Sequence, residues 1–271
     1  MTYPERSDRD PIRSIHRSFG TYARRYVKED GRIVWPVAVK VVHCQRVREN
    51  AQMLADDLSL SRDQRVLSIA AGLYHDLGRF EQYRRYRTFR DQDSVDHGEL
   101  SARILREGLD EFLSMFSPGE QESIIFAVRY HNRLHVPEAG GEQAELLLKI
   151  CRDADKLDIW RVFDDLLAGR ITAGADTINH GMAQGRQVSR EVMEAVMAGR
   201  LVDYRSIENQ IDFAVMRLSW VFDMNFSWTI RQVVERGYLN RIKDVIPKGP
   251  ERDLIFQKVE GYIGQRLKEG A

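Results

Sequence analysis

A chain of 271 residues, 43% hydrophobic and 30% charged, is long enough to bury a substantial core and is neither disordered nor of low complexity. Its 41 basic and 41 acidic residues cancel, so there is no global electrostatic case for nucleic acid or an anionic membrane as partner. Cys44 and Cys151 make neither a disulfide framework nor a CxxC zinc site. With a charged start, "MTYPERSDRDPIRS", and no apolar run of membrane-spanning length, they point to a cytoplasmic protein with no membrane association.

Helical periodicity dominates the chain, and strand alternation is nearly absent. In residues 10–30, Asp10 can cap, Pro11 suits the first helical position, and Ile12, Ile15, Phe19, Tyr22 and Tyr26 recur at 3–4 spacing before Gly31. Further helices are expected from Pro36, from Ser61 with Gln64 as a capping box, near Ser94, and from Ser117 with Pro118 and Glu120. A long helix follows over about 143–168. The stretch "AGRITAGADTINHGMAQGRQ", with its glycines and lack of periodicity, predicts a loop at 169–188. Helices resume at Ser189, around Ser206, around Ser227 and after Pro250. The expected fold is all-α, with about nine to eleven helices. Residues 1–35 supply an N-terminal helix packed on a helical bundle at 36–168, and 189–271 form a C-terminal helical part. The aromatic-rich "LSWVFDMNFSWTI", 218–230, reads as core or as a subunit contact, and a homodimer is the candidate assembly.

"VLSIAAGLYHDLG" reads as core yet ends in two ionisable residues, His75 and Asp76. A desolvated carboxylate needs donors, a cation or a metal beside it. Other histidines also fall on apolar stripes. His43 shares a register with Val47, Ala51 and Leu54; His97 lines up with Leu100, Ser101 and Ile104; His131 follows Ile124 and Val128, with His135 one turn on. Imidazoles and carboxylates converging from several helices are how bundle metal sites are built. In "KICRDADKLDIW" the inward register contains Leu148, Cys151 and Asp155, Asp158 reaches the pocket edge, and Arg152, Asp153 and Lys156 fall on the exposed register, Asp153 as a solvated or ion-paired acid.

A histidine, then an adjacent His-Asp pair, then a distal Asp within "ADKLD" resembles the HD-domain superfamily of metal-dependent phosphohydrolases, which is all-helical. The matching positions are His43, His75, Asp76 and Asp155, and the resemblance covers about 36–168. His97 and His131 look like the two extra histidines by which some members hold a second metal, so the resemblance implies a dinuclear site with Asp76 bridging. Cyclic-dinucleotide-cleaving members read "HDIGK" and carry paired histidines and a Gly-Tyr-Pro signature. Here "HDLGRF" and "YHNRLHVP" mark a different branch, and that substrate does not transfer.

The arginines of "RFEQYRRYRTFRD" suit a phosphoryl group because their forks match its oxygens, and a loop leaving the metal site is expected there. Arg79, one turn from Asp76, is the leading catalytic and substrate-binding candidate beside Asp76, followed by Arg84, Arg133 and Lys156. The reading is hydrolysis of a small phosphorylated substrate, a nucleotide among the candidates, by attack of a metal-bound hydroxide. The divalent metal is expected as two ions, with Mn, Fe or Mg favoured and Zn or Ni possible. Two alternatives stay open: a di-iron oxygenase of HD type and a regulatory module that binds metal or nucleotide without turnover.

Overall fold

The computed structural model describes residues 10–27, 31–137, 140–170, 184–185 and 187–270. The fold is all-α, and the described residues form no strand, only an isolated bridge between Val27 and Ile33. The chain divides into two compact units, residues 1–155 and 156–271. Among the described residues, no helix is long and apolar enough to cross a membrane.

The first unit begins with α1 (Pro11–Arg24), capped as expected by Asp10, whose carboxylate accepts from the Ile12 amide at 3.0 Å. α2 (Trp35–Asp57) leads to α3 (Arg62–Tyr74), where Ser61 and Gln64 form the expected capping box. Every residue of α3 from Val66 to Tyr74 is buried, because α3 is the central helix on which α1, α2 and α7 (Pro118–Tyr130) pack. Gly72 permits the approach of α2: a Cβ there would lie 3.0 Å from Ala51 Cβ and 3.2 Å from the Val47 carbonyl. The Tyr74 hydroxyl donates to the Ile15 carbonyl and the Tyr22 hydroxyl to that of Leu77, both at 3.2 Å, which ties α1 onto this core.

Two sequence expectations change here. The arginine-rich stretch after the His-Asp pair is not a loop at its start but helix α4 (Leu77–Tyr86); only the segment after it, with a 3-10 turn at Asp91–Asp93, is irregular. The next helix, α5 (His97–Glu107), is capped by Asp96 rather than Ser94, because the Asp96 carboxylate accepts from the Glu99 amide at 2.9 Å. After the short α6 (Leu109–Phe112), α7 starts at the expected Ser117–Glu120 capping box.

Helix α8 (Gly141–Leu167) crosses the division between the units. In the second unit, α9 (Arg190–Met197) follows Ser189 as expected. The helix expected around Ser206 is instead a 3-10 turn at Tyr204–Ser206, and α10 (Gln210–Ser219) begins after Asn209, whose side chain caps it. α11 (Ser227–Glu235), α12 (Tyr238–Val245) and α13 (Pro250–Glu269) complete the unit. The stretch 218–230 lies in its core, with Leu218, Val221, Met224 and Ile230 buried. Most of the loop expected at 169–188 lies outside the described residues.

Candidate metal centre

The His-Asp pair sits where one helix stops and the next begins. His75 closes α3, and Asp76, at φ −106° and ψ 20°, precedes α4 without capping it, so its carboxylate is left to point into the core. His97 is the first residue of α5, His131 follows the last turn of α7, and His43 and Asp155 lie within α2 and α8. All four histidines and Asp76 are buried.

These side chains converge into two overlapping groups. His43 Nε2 lies 3.2 Å from His75 Nε2 and 3.1 Å from Asp155 Oδ1, and both rings lie 3.5 Å from Asp76 Oδ2. On the other side His97 Nε2 is 3.1 Å from His131 Nε2, and the two lie 3.6 and 3.9 Å from Asp76 Oδ1. Asp76 thus turns one oxygen to each group, as a bridging carboxylate would.

The hydrogen bonds on the far side of the rings test whether the donors fit a cation. Nδ1 of His75 is 2.8 Å from the Gly72 carbonyl, Nδ1 of His131 is 2.7 Å from that of Val128, and Nδ1 of His97 is 2.6 Å from Asp91 Oδ2. These carbonyls and the carboxylate only accept, and the Asn132 amide nitrogen, 3.3 Å from His97 Nδ1, gives its two hydrogens to Asp91 Oδ2 and Asp96 Oδ1, so each Nδ1 carries the proton and each ring turns Nε2 to the centre. Lone pairs 3.1 Å apart repel unless a cation lies between them. Asp76 Oδ1 and Asp155 Oδ1 are also buried with no hydrogen-bond partner. Burial above all, with His97 and His75 packed beside it, lowers His131 to about 3, so this ring stays neutral. For Asp76, burial opposes ionisation, but Lys40 above all, then His75 and Arg79, hold it well below the usual carboxylate range. Burial opposes ionisation of Asp155 too, and the His43 and His75 nitrogens beside it outweigh that. Neutral imidazoles and ionised carboxylates are the donor set of a divalent metal, and this cluster fits one.

An all-α protein with such a cluster has the donor set that helical metal-binding proteins use. Residues 41–160 match the family model described as HD domain. This region of the chain is thus similar to HD domains, which are typically metal-dependent hydrolases. No curated protein and no solved structure matches the chain.

The remaining sequence-derived candidates fall in different places. Arg79 lies beside the cluster, its Nε 3.6 Å from Asp76 Oδ1. Arg84 is bound to Glu81 on its own helix, Arg133 pairs with Asp96 at 3.0 Å, and Lys156 pairs with Asp223 in the second unit. His135, one turn past His131 in sequence, is exposed. Asp153 and Arg152, expected to face water, are buried, because α8 has no exposed register from Ile150 to Ala154. Arg152 is drawn inward to donate to the carbonyls of His131 and Arg133 beyond the end of α7. Asp158, expected at the pocket edge, belongs to the second unit and pairs with Arg161 at 2.7 Å.

Two residues beside the centre escaped the sequence reading. Lys40 Nζ donates to Asp76 Oδ2 at 2.6 Å; its place one turn before His43 on α2 was the available signal. Asp91 lies in the irregular segment and had none.

Asp155→Ala is expected to lose metal, whereas Asp153→Ala should retain it and lower stability by about 2 kcal/mol, the cost of disturbing a buried polar group. Elemental analysis and urea unfolding of the two proteins check this; equal metal loss from both would refute the assignment of Asp155 to the centre.

Proposed function

We propose that this protein is a metal-dependent phosphohydrolase that cleaves a phosphoester of a small molecule, nucleotides being the first class to test. His43, His75, Asp76 and Asp155 would hold one ion, and Asp76, His97 and His131 a second. The mixed imidazole and carboxylate set favours Mn²⁺ or Fe²⁺ over the oxygen-seeking Mg²⁺, with Zn²⁺ and Ni²⁺ as further candidates. When bound, the metal supplies Lewis-acid polarisation of a phosphoryl oxygen and a coordinated water whose pKa falls to roughly 7. The buried thiols of Cys44 and Cys151 support a reducing compartment, the cytoplasm, as its location.

The observation that carries this reading is the state of Arg79. Its Nη1 is engaged by Gln82 Oε1 at 2.8 Å, Asp91 Oδ1 at 2.9 Å and the Phe89 carbonyl. Its Nε is buried with no hydrogen-bond partner, and no described residue accepts from Nη2. The Nε/Nη2 edge of a guanidinium is the fork that takes two oxygens of one phosphoryl group. Here it borders Asp76. Lys40 adds a second positive charge, and both cations lie against the Phe89 ring, at 5.6 and 5.7 Å from its centroid. Together they would orient a phosphoryl group at the centre and offset the charge that develops on its oxygens. Arg84, Arg133 and Lys156 pair with Glu81, Asp96 and Asp223, none of which is a donor of the centre, and stand outside this proposal.

A phosphate-release screen over nucleotides and sugar phosphates with Mn²⁺ tests the reading. Arg79→Met should lower kcat/KM by about a hundredfold with metal content unchanged. Absence of release from every substrate, together with O₂-dependent changes in the spectrum of the anaerobically iron-loaded protein, would instead establish the di-iron oxygenase. Metal binding with neither activity would leave a regulatory module.

A further inference from the structure

We infer that Asp91 is a positioning residue that holds His97 and Arg79 in their working orientations with one carboxylate; this rests on reading the cluster as a metal centre and Arg79 as its phosphate grip. Asp91 opens the 3-10 turn Asp91–Asp93 between α4 and α5. Its Oδ2 lies 2.6 Å from His97 Nδ1, with Asn132 Nδ2 at 3.4 Å. Its Oδ1 accepts from Arg79 Nη1 at 2.9 Å and Gln82 Nε2 at 2.8 Å. Gln82 is fully buried, and its Nε2 also lies 2.9 Å from both Ser94 Oγ and the Val95 carbonyl, so α4 anchors the turn from inside.

Every group facing Asp91 is a donor. Oδ2 keeps the proton of His97 on Nδ1 and thereby frees Nε2 for the centre. Oδ1 takes up Nη1 of Arg79, which leaves the Nε/Nη2 edge beside Asp76. Only a carboxylate offers acceptors on both sides.

Asparagine is the discriminating substitution because it has nearly the same shape and a single acceptor. In Asp91→Asn the carbonyl oxygen should stay with Arg79 and Gln82, the side with two donors, one of them charged. The amide NH₂ then faces His97 Nδ1 and can be accommodated only if the ring moves its proton to Nε2. That tautomer points N–H at the centre and blocks a ligand.

Long-range ¹H–¹⁵N NMR of the metal-free protein, with the His97 signal identified by its absence in His97→Gln, reads the tautomer directly. Mn²⁺ titration followed by electron paramagnetic resonance reads the sites. The expected result for Asp91→Asn is a shift of His97 towards the Nε2–H form and a roughly 10–100-fold weaker binding of the second Mn²⁺. Asp93→Asn, on the same turn but half-exposed, should change neither. A wild-type tautomer with wild-type Mn²⁺ binding in Asp91→Asn overturns the inference, as does an equal effect of Asp93→Asn, which would assign it to the turn. Neither readout needs a substrate, so a wild-type protein that binds two Mn²⁺ and hydrolyses nothing defeats the proposed function and leaves the role of Asp91 standing.

Discussion

Asp76→Asn is expected to abolish metal retention at both groups of donors, with binding weakened by about a hundredfold or more, since Asp76 turns one carboxylate oxygen to each. The carboxylate also has a second task. Lys40 is paired with it at 2.6 Å and Arg79 lies 3.6 Å away, so a neutral amide leaves two cations without their common counter-charge. Breaking a buried ion pair from one side costs about 3 kcal/mol, and that loss of stability should accompany the loss of metal. Elemental analysis after gel filtration and guanidinium unfolding measure the two effects. Wild-type metal content in Asp76→Asn would remove Asp76 from the centre and with it the bridging arrangement.

Gly78→Ala should lower stability by about 2–3 kcal/mol, a large effect for one methyl group. A Cβ at this position would lie 2.5 Å from the His97 carbonyl and 2.8 Å from the Ser101 amide. Both are backbone atoms of α5 and cannot step aside as the tip of a side chain could. The Gly78 amide also donates to Ser101 Oγ at 2.8 Å, so the two helices touch at the point where the centre is assembled. Because α5 begins with His97, pushing it outward should also weaken the second Mn²⁺. Gly119→Ala in α7 is the control: nothing lies within 4 Å of its Cβ, and its stability should match or slightly exceed that of wild type. A Gly78→Ala protein as stable as this control would contradict the close approach of α4 and α5.

The sequence by itself determined the all-α class, the metal-ligand candidates and most helix starts. Helix caps such as Asp10, Ser61 with Gln64 and Ser117 with Glu120 are local, made between residues two or three apart, so composition and spacing suffice to place them. The apolar stripes likewise placed His43, His97, His131 and Asp155, because a stripe shows which side of a helix turns inward. It cannot show that a helix is enclosed on every side. That is why Asp153 and Arg152 were assigned to water although α8 buries both. Only the tertiary structure decided which arginine stands at the centre with its fork open. Arg79 and Arg84 belong to one basic stretch and differ in what surrounds them, Asp76 and Asp91 for the first and Glu81 for the second. Lys40 meets Asp76 across 36 residues, and Asp91 meets His97 from a 3-10 turn outside the α-helices, so no helical period carries information about either contact. The physical reason is the same throughout: a period of 3.6 residues encodes one face of one helix, whereas the chemistry here depends on which faces of five helices meet.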